Sequence, residues 1–92
     1  MRLLLIENDS THGKVLKDVF SLWGHDVGLC LSAKELSDHL QRNDWNGVVT
    51  ELAIPGLEKY QVISRVKEEM PWVPVIVLTE NGSIKSAVRA IQ

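Results

Sequence analysis

The chain has 92 residues, 45% hydrophobic and 24% charged, which suits one small globular core and is too little for two domains. Its 10 Lys+Arg against 12 Asp+Glu give a formal net charge of −2, so the broad basic footprint of a nucleic-acid binder is missing and direct DNA contact is not expected. The single cysteine, Cys30, excludes an internal disulfide, and with no Cys/His cluster at zinc-ligand spacing a structural zinc site is not expected. The longest apolar runs, Leu3–Ile6 and Trp72–Leu78, fall well short of the roughly 20 residues of a membrane helix, and the N-terminus lacks the layout of a signal peptide. A soluble cytoplasmic protein in a reducing compartment is the expectation.

Leu3-Leu4-Leu5-Ile6 is wholly apolar and stops at polar Glu7-Asn8-Asp9-Ser10, the pattern of a strand buried on both faces followed by a helix start. Val15, Leu16, Val19, Phe20 and Trp23 then recur at helical spacing, with Asp9 or Ser10 as N-cap and Gly24 as the stop. Asp26–Leu31 reads as a second strand. Ser32 with Glu35 forms a capping-box pattern, and Leu36 and Leu40 give one apolar face of a second helix running to about Arg42. Gly47–Thr50 is a third strand ending at Glu51, and Pro55-Gly56 makes a turn. A third helix follows, with Tyr60, Val62, Ile63, Val66 and Met70 as its apolar residues and Pro71 as its end. Val73–Leu78 is the most hydrophobic strand, and Pro74 is tolerated near its start, where a missing N–H costs least. Ile84, Val88 and Ile91 mark a fourth helix running to the chain end.

Strands and helices in strict alternation with short connections predict an open parallel sheet with helices on both faces. Ligands of such sheets sit at the carboxyl ends of the strands. The residues just past those ends are Glu7-Asn8-Asp9, Ser32, Glu51 and Thr79, which brings acids and a hydroxyl to one rim suited to a cation or a phosphoryl group. Asp9 serves equally well as a simple N-cap, and Thr79 as a simple strand-end residue.

Three stretches resemble the receiver domain of two-component response regulators: the acidic turn after Leu-Leu-Leu-Ile; Val-Val-Thr-Glu-Leu-Ala-Ile-Pro-Gly at 48–56; and Pro-Trp-Val-Pro-Val-Ile-Val-Leu-Thr at 71–79, followed by Ser-Ala-Val-Arg-Ala. The resemblance covers essentially the whole chain and is nearest to receivers of sigma-54-type transcription activators. It implies a flavodoxin-like (CheY-like) fold with strand order 2-1-3-4-5, signal transduction by phosphorelay, and a histidine kinase as a candidate partner. A receiver of this kind is not expected to be an enzyme in its own right.

Carried over residue by residue, the resemblance places Glu51 where the family has its phosphoacceptor Asp. Glu7 and Asn8 stand where two acids usually help hold Mg²⁺, and Glu7, Asn8, Glu51 and Ala53 form the candidate metal pocket, expected to bind Mg²⁺ weakly. Thr79 matches the hydroxyl that bonds the phosphoryl group, and the bulky Glu80 obstructs access next to it. The chain stops at Gln92, before the family's fifth strand with its Lys and its switch aromatic, and before the fifth helix; Lys59 is the candidate replacement cation. The fourth strand is then expected to be an open apolar edge, covered by further chain in a longer protein or by a second copy.

The first reading is therefore a single truncated receiver domain over residues 1–92, acting as a regulatory and dimerisation module independent of phosphorylation. It would self-associate through the fourth helix (Ile84, Val88, Ile91) or the open strand edge, at the N-terminus of a transcription regulator. A second reading keeps a working phosphorelay with Glu51 or Asp9 as acceptor. A third, a flavodoxin-like cofactor binder, rests on Ser10-Thr11-His12-Gly13 after the first strand. His12, His25 and His39 share no spacing and are read as solvated surface, Cys30 as a buried small apolar group, and Trp23, Trp45 and Trp72 as core closure on the rim opposite the acids.

Overall fold

A computed structural model of the chain describes residues 1–78. It contains β1 (Arg2–Ile6), α1 (Ser10–Leu22), β2 (Asp26–Cys30), α2 (Ala33–Gln41), β3 (Gly47–Glu51), α3 (Gln61–Glu69) and β4 (Val75–Leu78). All neighbouring strands pair in parallel, as the alternating pattern predicts, and their order β2-β1-β3-β4 is the one the resemblance implies. The fourth strand begins at Val75 rather than Val73, because Val73 and Pro74 form its approach; the Pro74 carbonyl accepts from the Val48 N–H at 3.0 Å. Among the described residues no helix is long and apolar enough to cross a membrane.

The period of two along the strands divides the core. Leu4, Ile6, Cys30, Val48 and Val75 point to one face and pack with Leu36 and Leu40 of α2 and Val62, Ile63 and Val66 of α3. Leu5, Val27 and Val49 point to the other, under Leu16 and Phe20 of α1. Among the described residues, two helices thus cover one face and α1 the other. Because β1 and β3 are central, their residues are apolar on both sides, which explains the unbroken Leu3–Ile6 run.

The turns follow local chemistry. Asp9 caps α1, its Oδ1 accepting from the backbone N–H of Thr11 at 3.0 Å and of His12 at 3.1 Å. Gly24 follows the helix at φ +91°, the left-handed stop that glycine adopts without a steric penalty. The capping box on α2 forms only in part: Ser32 makes no side-chain cap bond, and Glu35 reaches past it to accept from the Leu31 N–H at 3.0 Å. Tyr60, the N-cap of α3, sits at φ 70°, a left-handed conformation that costs a non-glycine residue on the order of 1 kcal/mol.

Two apolar expectations fail in an instructive way. Val15 shares the helical spacing of the apolar residues of α1, yet it is 55% exposed, because Leu16 and Phe20 set the contact with the sheet and Val15 lies off that stripe. Of the three tryptophans only Trp45 closes the core; Trp23 and Trp72 are 69% and 63% exposed. Trp45 is 3% exposed and lies against Gly28 of β2, where an added Cβ would overlap the indole ring. Its Nε1–H donates to the His39 carbonyl at 2.7 Å, and the Arg2 and Arg42 guanidinium groups lie 5.1 and 5.4 Å from its ring.

Candidate functional site

The carboxyl ends of β1 and β3 build the acidic rim. Ile6 pairs with Thr50, so the next residues, Glu7 and Glu51, leave adjacent strands at the same level, about 4.8 Å apart in the strand-to-strand direction. Being one step past Ile6 and Thr50, both fall on the α1 side of the sheet. Gly13 of α1 comes close there: a Cβ at this position would lie 3.6 Å from the Glu7 Cγ and 3.0 Å from the Leu29 Cδ1.

Glu7 is only 3% exposed, and both its oxygens are engaged. Oε1 accepts from the Asp9 N–H at 3.1 Å, and Oε2 accepts from His12 Nδ1–H at 3.0 Å. A buried carboxylate needs such partners. His12 is exposed, as the surface reading expects, and it is also a member of the site, because its place in the first turn of α1 brings its ring to Glu7. Asp9 has the capping role already described, with its carboxylate directed at the helix N-terminus.

Asn8 and Ala53 are exposed at the rim, and Glu51 is half-buried. Thr50, fully buried below, donates its hydroxyl to the Glu51 carbonyl at 2.8 Å. The loop after β3 borders a cavity of about 480 Å³ lined by Leu52, Ala53, Ile54, Pro55, Leu57 and Lys59. Lys59 directs its ammonium over the Tyr60 ring, 5.2 Å from the centroid. Thr79 and Glu80, and the helix residues Ile84, Val88 and Ile91, lie outside the described residues.

The donor set of the candidate Mg²⁺ site consists of oxygens, as a hard cation requires, with two carboxylates, Glu7 and Glu51. Asn8 brings no charge, and the His12 ring already occupies one oxygen of Glu7. An ion entering here would have to displace His12 or bind without that oxygen.

A second group of chemically active side chains lies at the end of β2. Cys30, Glu35 and His39 bring their ligand atoms within 4.8 Å of one another. The group lacks zinc-finger spacing, because its residues come from a strand end and from one face of α2, joined only by the β2–α2 turn. Burial, the main cause, pushes the Cys30 thiol from 9.0 up to about 11; the Glu35 charge acts in the same direction, while a hydrogen bond with the Ser32 backbone and the Arg65 charge oppose it. With its pKa raised by folding, the thiol contributes stability that is complete below pH 9 and is lost as pH rises toward 11. Near neutral pH its thiolate fraction is about 100-fold below that of an unfolded cysteine. Alkylation of the native chain by iodoacetamide at pH 8 should therefore be slower than alkylation in urea by at least about that factor, and equal rates would contradict the burial.

An open parallel sheet in the order β2-β1-β3-β4, with acids at its carboxyl rim, is a flavodoxin-like fold. The family model described as "Response regulator receiver domain" matches residues 3–92, and the chain belongs to that family. It is 30% identical over 92 residues to the C4-dicarboxylate transport transcriptional regulatory protein DctD of Pseudomonas aeruginosa, covering 99% of this chain and 20% of that protein. A receiver domain protein from Clostridium thermocellum superposes with a TM-score of 0.85 at 25% identity, over 97% of this chain and 72% of that one. The beryllofluoride-activated NtrC4 receiver domain dimer superposes with a TM-score of 0.83 at 23% identity, over 98% of this chain and 74% of that one. The chain spans 19 to 36% of the length of the first curated regulators that it matches. It is thus a receiver of two-component signal transduction, similar to those of sigma-54-type transcription activators.

Proposed function

We propose that this receiver regulates through contacts rather than through phosphorylation. Glu51 carries this reading, because it ends β3 at the position where the family accepts a phosphoryl group on Asp. Phosphoryl transfer depends on in-line placement and on neutralised charge, and an error of about 1 Å can cost on the order of 100-fold. The extra methylene of Glu51 moves the acceptor oxygen by about that distance. The engaged Glu7 and the neutral Asn8 weaken the metal that would neutralise the charge, so Mg²⁺ binding is weak.

The contacts are homodimeric, made by β4 or by Ile84, Val88 and Ile91 further along the chain, in a protein whose output is transcription. Support comes from β4, the outermost strand among the described residues, with Ile76 61% exposed there, and from the dimeric NtrC4 receiver of the same fold. A histidine kinase is a partner by family, without transfer to Glu51. Light scattering over a concentration series, with and without Mg²⁺ and acetyl phosphate, tests the proposal. The expected result is reversible self-association that the phosphodonor leaves unchanged. Self-association that appears only with the donor would favour a working phosphoacceptor instead, and a monomer at all concentrations would reject the dimer.

A further inference from the structure

Cys30 is the last residue of β2, and its side chain lies on the sheet face covered by α2 and α3. Glu35 and His39 are one helical turn apart on α2, so they share a face of that helix. A four-coordinate zinc ion, with bonds of about 2.0 to 2.3 Å, holds its ligand atoms roughly 3.3 to 3.8 Å apart. The three side chains already lie within 4.8 Å of one another, so small torsional changes in Glu35 and His39 close the set.

We propose that Cys30, Glu35 and His39 form a binding site for a thiophilic divalent cation, Zn²⁺ by its chemistry, with water as the fourth ligand. Thiolate and imidazole donors favour zinc over the hard cation of the acidic rim. Thiolate and carboxylate together balance the double charge, and the imidazole binds neutral. Binding exchanges the Sγ–H bond for an Sγ–Zn bond and releases the proton to water, with no change of oxidation state. Cys30 then gives up its 3.2 Å hydrogen bond to the Ser32 carbonyl. Part of the site is already held in place: Glu35 Oε2 accepts from the Leu31 N–H at 3.0 Å, leaving Oε1 for the ion. The His39 backbone is fixed by the 2.7 Å bond from Trp45. Glu35 is exposed and His39 half-buried, so an ion reaches the buried sulfur from solvent between them.

The ion would clamp the end of β2 to α2. The Cys30 carbonyl also accepts from the Glu7 N–H at 3.0 Å, so the clamp stands one backbone bond away from the acidic rim.

Titration of the purified chain with Co²⁺, followed by electronic absorption, tests the site. The expected result is one ion per chain, the visible bands of four-coordinate cobalt, a near-ultraviolet thiolate-to-cobalt band, and displacement of both by Zn²⁺. Cys30→Ser should abolish the charge-transfer band, and His39→Gln should weaken binding by about tenfold or more. His25→Gln, at a histidine bonded to the N-terminus instead, should leave the titration unchanged. Because Cys30 is buried, His39→Gln on the helix surface provides the test if Cys30→Ser does not fold. Absence of a thiolate band at saturating Co²⁺, or unchanged affinity in His39→Gln, would overturn the proposal.

Discussion

Trp45→Ala should cost about 3 to 5 kcal/mol, a large share of the roughly 5 to 15 kcal/mol that holds a small domain together. The indole fills the space left open by Gly28, so its removal leaves a cavity that β2 cannot close without breaking its pairing to β1. The change also removes the donor to the His39 carbonyl at the end of α2 and the aromatic surface between Arg2 and Arg42. Urea unfolding monitored by circular dichroism measures the effect. Trp45→Phe should lose less than Trp45→Ala, because it keeps one aromatic ring while giving up the Nε1–H donor and the outer ring against Gly28, whereas Trp72→Ala, at a 63% exposed position, should shift the midpoint little. Equal losses at Trp45 and Trp72 would contradict the packing described.

The second large effect concerns the acidic rim. Glu51→Asp shortens the side chain by one methylene and returns the carboxylate to the family's acceptor position. Attack of an Asp oxygen on the phosphorus of acetyl phosphate, with acetate leaving, should then become measurable, at a rate about 100-fold above that of the parent chain. Asn8→Asp in the same background adds a carboxylate to the metal donors and should lower the Mg²⁺ concentration needed for half-maximal labelling. A further gain from His12→Ala would show that the bond from His12 to Glu7 holds back a metal ligand.

Much of this molecule could be read from its residues. The two central strands announce themselves because burial on both faces leaves them apolar throughout, and Asp9 and Gly24 mark the ends of α1 through chemistry local to the chain. Strand order followed from the family resemblance, and the acidic rim followed from that order, since Glu7 and Glu51 are simply the next residues after paired positions. What periodicity could not supply was the choice of face. Val15 has helical spacing but lies off the stripe that Leu16 and Phe20 press onto the sheet, and Trp23 and Trp72 are apolar yet exposed. Side chains that meet across a turn were equally hidden. His12 reaches Glu7 because Asp9 starts the helix between them, and Glu35 passes Ser32 to bond Leu31, so a capping-box pattern became part of a Cys-Glu-His cluster.

A receiver that works through contacts, as proposed above, leaves the acidic rim without a phosphoryl group. Intact mass spectrometry of the parent chain after incubation with Mg²⁺ and acetyl phosphate, with Glu51→Asp alongside, tests it most directly. The expected result is an unchanged mass for the parent and a gain of one phosphoryl group for Glu51→Asp. A parent chain that gains the phosphoryl group, with the label lost on Glu51→Gln, would contradict it and establish Glu51 as a working acceptor.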